Sequence, residues 1–400
     1  MSSLPSSESP HASRCVYCGA NQVNHPIAYI SQTLAVFFMA PSKPFGFLEG
    51  YWVHMLGERL IAGLLFIFRL CGLVRFSTDS TKVVSDRSKV IWEEALRRGI
   101  RMEQVLFMGK SSEQYRAFVG GRWHYFMSMP LPPWVDRRSH AWMDNKVLLK
   151  QFFLARGVSV PKGGRAFSQA SAERTFERLQ KPVIVKPEIG SRGRHTVTHI
   201  YTKEELREAC AVAQKLCQCV VVEEHLLGFI YRATYVGGEV VGMNRGEQPR
   251  VVGDGVSSIA ELIVKKNETK HEKQKDFIST PVSDAFLKRQ GYTQDSILPQ
   301  GVEIELIEKI GLSQGGFSSE CLAEAHPKLI AQITQAGDFL KTPIVGFDVI
   351  SEDITKDPDT VRWGIIEANS LPFIDLHHFP VAGEPVNVAA KVWDLWNTKA

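Results

Sequence analysis

The sequence predicts an α/β protein of two or three domains. Its 400 residues, 44% hydrophobic and 22% charged, supply apolar material for more than one core. Residues 81–140 read as a small α/β unit, and from Pro161 onward short β-rich runs alternate with stretches of helical spacing.

Taken in order, residues 1–25 begin Ser- and Pro-rich, lack the apolar centre of a cleavable signal, and read as a disordered or loosely tethered leader. Cys15 and Cys18 form a C-x-x-C with His25 nearby. Structural zinc takes four ligands, so this pair supplies at most half a site; the alternative is two free thiols in a frayed N-terminus. Seven cysteines, an odd number, point to a reducing, cytoplasmic compartment. Residues 27–40 and 60–74 are apolar and are separated by a turn-rich segment at 40–46. Neither reaches the roughly 20 apolar residues that cross a bilayer. Arg59, Arg69 and Arg75 around Leu64, Leu65, Phe66 and Phe68 suit a helix lying on a membrane surface, or a buried or subunit-facing one. The net charge of +4 is small, and no clustered basic face marks a nucleic-acid partner.

A helix is expected over 89–98, with short strands at 104–108 and 122–127 before the proline-rich 130–133. Another helix starts near Asp144, whose carboxylate can cap it, and runs to about 155, with Gly157 as its stop. Strands follow at 182–186 and 219–223, flanking a helix over 203–216. Strands 230–236 and 239–244 are joined by Gly237-Gly238, a hairpin turn by composition. Residues 257–267 return to helical spacing, and the charged 265–275 read as a solvated helix end and loop. A helix at 327–340, strands at 344–350 and 362–368, and a helix at 386–396 complete the chain.

Three places carry chemistry. Lys186 ends an apolar strand and precedes a loop holding Gly190, Ser191, Arg192, Gly193 and Arg194. A lysine so placed can present its ammonium to phosphate, and glycines let backbone amides approach an anion. The Walker pattern is absent, which argues against a P-loop enzyme. A second apolar strand ends in Glu223-Glu224, either at an adenine or ribose edge or as solvated acids. Asp348, Glu367 and Asn369 are hard oxygen donors within two apolar strands, and residues 367 and 369 share a face. Magnesium prefers such a set, with phosphates and waters completing the octahedron; two structural salt bridges are the alternative.

The order of these features resembles the ATP-grasp superfamily. More narrowly, residues 143–395 resemble the ATP-grasp region of cyanophycin synthetases and of fused glutamate–cysteine ligase/glutathione synthetases. The likeness rests on Asp144-Asn145-Lys146, Val185-Lys186-Pro187, Arg232, Val236-Gly237-Gly238, Gly253-Asp254-Gly255, Leu312-Ser313-x-Gly315-Gly316, His326-Pro327, Gly346-x-Asp348, and Glu367-x-Asn369 with Pro372 and His377. It implies an α/β fold of two lobes with mixed or antiparallel sheets clamping ATP, after a small α/β domain. The divisions expected are 1–80, 81–142 and 143–400, the last split into lobes of about 143–222 and 223–400.

The resemblance further implies an ATP-dependent carbon–nitrogen ligase acting through an acyl phosphate on an amino acid or peptide. A phosphotransferase or ATPase, or a degenerate ATP-binding module docked on a membrane or partner, is the alternative. Lys146, Lys186 and the loop residues Gly190, Ser191, Gly193 and Arg194 would contact the phosphates, and Glu223 and Glu224 the adenine–ribose end. Arg232 would steady the transferred group, and Ser313, Gly315 and Gly316 would line the reacting carboxylate. Asp348, Glu367 and Asn369 would hold two Mg²⁺, with Mn²⁺ as a substitute. Peripheral membrane contact through residues 59–75 and a homo-oligomer are left open. The sequence departs from the family pattern at His195, where a glycine is usual, at Ile230, where an acid is common, and at Gly311, where an asparagine is usual. The Mur-ligase-like domain of cyanophycin synthetase has no counterpart in these residues, which argues against cyanophycin polymerisation by this chain alone.

Overall fold

The structure, a computed structural model, describes residues 15–18, 22–38, 51–135, 138–189, 193–272, 274–307 and 315–397. Gly190, Ser191, Arg192, Gly311 and Ser313 lie outside the described residues.

The two N-terminal apolar stretches form helices α1 (His25–Phe38) and α2 (Tyr51–Leu70). Of the expected leader, residues 1–14 and 19–21 lie outside the described residues, while 15–18 are held rather than frayed: Cys18 is fully buried, and His195 donates its backbone N–H to the Tyr17 carbonyl at 3.1 Å. No helix among the described residues is long and apolar enough to cross a membrane.

The next unit comprises β1 (Val74–Ser77), α3 (Asp86–Arg97), β2 (Arg101–Phe107), β3 (Gln114–Val119) and β4 (Arg122–Met127). The four strands pair antiparallel in chain order. Ser85 caps α3 by accepting from the Ser88 amide, and the helix buries Val90, Ile91, Trp92 and Ala95.

Then come α4 (Lys146–Leu154), β5 (Gly163–Ala166), α5 (Gln169–Arg178), β6 (Val183–Pro187), β7 (Val197–Ile200), α6 (Lys203–Ala213) and β8 (Val220–Glu224). Their sheet runs β5-β8-β6-β7, all antiparallel, with α5 and α6 covering an apolar face built on Phe176, Val183, Val185, Leu206 and Val222. The cap of α4 is Asn145, not Asp144. Asn145 Oδ1 accepts from the Val147 and Leu148 amides at 3.0 and 3.1 Å. The Asp144 carboxylate instead accepts from the Ser370 amide and hydroxyl at 3.0 and 2.8 Å, 226 residues away.

The remainder holds β9 (Phe229–Val236), β10 (Glu239–Glu247), β11 (Arg250–Val252), α7 (Ile259–Thr269), α8 (Pro281–Arg289), β12 (Glu303–Glu305), β13 (Phe317–Glu320), α9 (Pro327–Leu340), β14 (Ile344–Ser351), β15 (Trp363–Asn369), α10 (Asp375–His378) and α11 (Val388–Asp394). Five strands form one antiparallel sheet in the order β13-β10-β9-β14-β15. Gly237 and Gly238 turn the β9–β10 hairpin at φ of +60° and +104°, a region few other residues enter at low cost. Residues 265–275 form the expected exposed helix end and loop, α7 ending at Thr269, with Gln274 alone buried among the described residues of the segment. The apolar side of α9 packs beneath the sheet with Phe347 and Val349. At the other end, Trp393 of α11 donates to the Ile91 carbonyl of α3 at 3.0 Å and joins the small unit to the large sheet.

Candidate functional site

Strand register brings the polar residues of the large sheet together. Arg232 on β9 pairs with Asp348 on β14, and Asp348 pairs with Glu367 on β15. Directly opposed residues in antiparallel strands project from one face, so the three side chains form a row across the sheet. Arg232 Nε lies 2.6 Å from Asp348 Oδ1 as an ion pair, while Arg232 Nη1 is buried without a hydrogen-bond partner. Asn369, two residues past Glu367, pairs with Gly346 and donates to its carbonyl at 3.4 Å. The neighbouring β9 residue Tyr231 faces the reverse side, where it lines a separate hollow of about 460 Å³ with Phe229 and Arg245.

The row meets a set of lysines from α4 and from the β5-β8-β6-β7 sheet. Lys146 and Lys150, one helical turn apart, share the inner face of α4. Lys186 on β6 lies diagonal to Glu223 on β8, because Ile184 is the residue paired with Glu223. All three lysines are 6% exposed. Lys146 Nζ stands 3.2 Å from Glu367 Oε1, and Lys186 Nζ stands 2.6 Å from Glu223 Oε1. Lys150 contacts the other Glu223 oxygen. Glu188, fully buried, accepts from Arg165 Nε at 2.6 Å and from Asn145 Nδ2 at 3.1 Å, which ties the capped end of α4 to β6.

Three buried ammoniums thus face two carboxylates. Burial pushes the Glu223 carboxyl up, but Lys150 and Lys186 outweigh it and hold it below the usual range. Burial likewise opposes ionisation of Glu367, and Lys146 and Lys186 overcome it. Burial lowers the Lys186 ammonium, yet Glu223 and Glu367 carry it above its ordinary value. Lys150 goes the other way. Burial, with the charges of Lys186 and Lys146, outweighs Glu223 and takes it down to about 7. Asp348 is raised by burial and by the like charge of Glu367, against the pull of Arg232. Surplus positive charge on one side and two adjacent carboxylates on the other fit a polyanion with a divalent cation between them.

Seven of the fifteen expected residues converge here: Lys146, Lys186, Glu223, Arg232, Asp348, Glu367 and Asn369. Glu223, expected at the adenine–ribose end, is held between Lys150 and Lys186. Glu224 is half-buried, with Arg362 Nη2 3.9 Å from its carboxylate. Gly193 turns the loop before β7 at φ +63°, and Arg194 beside it is half-buried. Gly315, at φ +74°, packs so closely on residues 275–277 that a Cβ would come 3.0 Å from Phe277, and the Gly316 carbonyl accepts from Gln274 at 2.7 Å. Lys150, Asn145 and Glu188 were not singled out as site residues from the sequence. A second lysine four residues after Lys146, on the apolar face of a short helix, was the available signal.

A solved bifunctional glutathione synthetase from Pasteurella multocida superposes on 78% of this chain and 43% of its own, with a TM-score of 0.56 and 24% sequence identity. The chain has the ATP-grasp fold. It is similar to the glutathione biosynthesis bifunctional protein of Clostridium perfringens, 29% identical over 264 residues, which are 63% of this chain and 34% of that protein. It is similar also to the cyanophycin synthetase of Trichormus variabilis, 30% identical over 258 residues, 63% of this chain and 29% of the relative. The chain therefore spans about a third of the length of these curated relatives. No family model matches it. By their names the first takes part in glutathione biosynthesis and the second is a synthetase of cyanophycin.

Proposed function

We propose that the chain is an ATP- and Mg²⁺-dependent carboxylate–amine ligase that forms an amide or peptide bond on an amino acid or peptide. The observation that carries this reading is the row Arg232–Asp348–Glu367 facing Lys146, Lys150 and Lys186 across the two sheets. Asp348, Glu367 and Asn369 would hold Mg²⁺, which supplies neutralisation of the phosphate charge when bound. Lys146 and Lys186 would exchange their carboxylate partners for phosphate oxygens. Lys150 would keep Glu223 in place, and Arg232 Nη1 would donate to the transferred phosphoryl group.

The substrate carboxylate oxygen attacks the γ-phosphorus, and ADP departs with the electron pair of the broken P–O bond. The amine nitrogen then attacks the acyl carbon, loses a proton, and expels inorganic phosphate. Nothing in this chemistry needs a covalent protein nucleophile, only position and charge. Gly193 and Arg194, with residues 190 and 191, would cover the phosphates, and Glu224 would lie toward the base. Gly315 and Gly316, with residue 313, would line the acceptor side.

The test is ADP and phosphate release from pools of amino acids and dipeptides, with mass spectrometry of the product. A product lighter than its two substrates by one water supports the ligase. ADP without any amide would replace it with a phosphotransferase or ATPase. The exposed Leu60, Leu64, Phe66 and Ile67 of α2, next to Arg69, also support peripheral membrane contact through residues 59–75. Recovery of all the protein in the supernatant after sedimentation with anionic vesicles would remove that part, and sedimentation velocity would decide whether the same face makes a homo-oligomer.

A further inference from the structure

Away from the lysine cluster, four side chains meet that the ligase chemistry does not use. Cys15 and Cys18 flank a single 3-10 turn, in which the Cys18 amide donates to the Cys15 carbonyl at 3.2 Å. His25 is the first residue of α1, and His195 comes from the loop between β6 and β7. His195 Nε2 lies 3.4 Å from both sulfurs, and His25 Nε2 lies 3.2 Å from Cys18 Sγ. One ligand atom from each of the four residues falls within 4.8 Å of all the others.

Hydrogen bonding alone does not account for this convergence. His195 Nδ1 lies 2.7 Å from the Val212 carbonyl, which only accepts, so the ring proton sits on Nδ1 and Nε2 presents a lone pair. One lone pair cannot take protons from two thiols at once, yet both sulfurs are turned on it. A tetrahedral zinc ion, with bonds of about 2.3 Å to sulfur and about 2.0–2.1 Å to nitrogen, holds its sulfur and nitrogen ligands roughly 3.5 Å apart. The spacing found here is close to that, and a metal-binding imidazole characteristically gives its other N–H to a backbone carbonyl.

We propose that Cys15, Cys18, His25 and His195 bind a structural Zn²⁺ that fastens the N-terminal segment to the phosphate loop. The half-site of the C-x-x-C is thereby completed by His25, seven residues on, and by His195, far along the chain. The same site accounts for His195 where the family pattern has glycine. Its backbone keeps the left-handed conformation, φ +52°, that suits glycine, while its side chain is fully buried against the cysteines. Helix α1 secures the other end of the loop. Val36 packs on Ile189, Cys217 and Cys219; Tyr29 Oη donates to Gln218 Oε1 at 2.8 Å; and the Gln218 amide donates to Thr33 Oγ1 at 3.1 Å. Residues 15–38 therefore grip the loop at Ile189 and at His195, and the metal closes the second grip.

The test uses the full chain with any affinity tag removed, purified under reducing conditions without chelator and reloaded with Zn²⁺ alone. Elemental analysis should find about one zinc ion per chain, and X-ray absorption should find two sulfur and two nitrogen neighbours. Cys18→Ser and His195→Gln should each lower retained zinc by about tenfold or more, while Cys71→Ser, an exposed cysteine outside the cluster, should retain it. Chelation should lower the melting temperature of the wild-type chain and speed tryptic cleavage after Arg194, with no such change in His195→Gln. A folded wild-type chain that takes up no zinc after reloading would overturn the site. So would full zinc in both ligand variants, a Cys15–Cys18 disulfide persisting in reductant, or stoichiometric iron with labile sulfide. Because the readout is metal content, its failure leaves the ligase reading untouched, and loss of ligase activity leaves the zinc site untouched.

Discussion

Lys150 is buried with its ammonium against Glu223, and burial first, then the charges of Lys186 and Lys146, bring its pKa down to about 7. Its folded-state value is depressed from an ordinary value of about 10.4. Between those limits the unfolded chain holds a proton that the folded chain has released, so this group's contribution to stability rises with pH across that window. A bound polyphosphate would set negative charge beside the ammonium, offset the penalty of burial and restore the proton. Binding of Mg-ADP at pH 8 should therefore take up protons. Calorimetry in buffers of different ionisation enthalpy measures the uptake, and Lys150→Met should abolish it. Lys186→Ala and Glu367→Gln belong to the same scale. Each removes charge at the cleft and should cut ATP turnover by about 10²-fold or more, with circular dichroism unchanged. Normal Mg²⁺-dependent turnover in Glu367→Gln would refute the metal assignment.

At the level of elements, strand register does the work that side-chain identity alone cannot. The β5–β8 pair places Gly163 against Glu223, so closely that a Cβ on Gly163 would lie 2.4 Å from Glu223 Cβ and from the Val222 carbonyl oxygen. Gly163→Ala must open this pairing. It should destabilise the chain by about 1–3 kcal/mol in denaturant titration and also lower turnover, since Glu223 moves with its strand. Gly-Asp-Gly, a motif of the family likeness, has a structural explanation here. Asp254 accepts from the Val256 and Ser257 amides at 3.0 and 2.6 Å and from Lys265 at 2.8 Å, which builds the turn into α7. Long periodic elements were legible in advance: 122–127 and 327–340 coincide with β4 and α9. Strands β5, β7, β11, β12 and β13 were not, because each has three or four residues and carries Gly, Ser, Thr, Arg or Glu where an apolar run would mark a strand.

Across the whole molecule, the small antiparallel unit and the large sheet share one core. Trp393 is buried in it with Trp92, Tyr115 and Ile344, and Trp396 donates to the Pro130 carbonyl at 2.8 Å. Trp393→Ala should cost about 3–5 kcal/mol, read as a fall in the denaturation midpoint, because the side chain fills space that neither unit can close alone.

Local chemistry was open to the sequence by itself. A lysine at the end of an apolar strand, two strands carrying Asp348, Glu367 and Asn369, and glycines at turns predict the phosphate and magnesium site proposed here, because each signal lies within a few consecutive residues. Partners distant in the chain were decided only by the tertiary structure. Asp144 met Ser370, Glu223 took two lysines, and a C-x-x-C found its histidine 177 residues from Cys18. Such pairings depend on which strands become neighbours and in what register, and that is settled by the burial of whole faces rather than by any short segment.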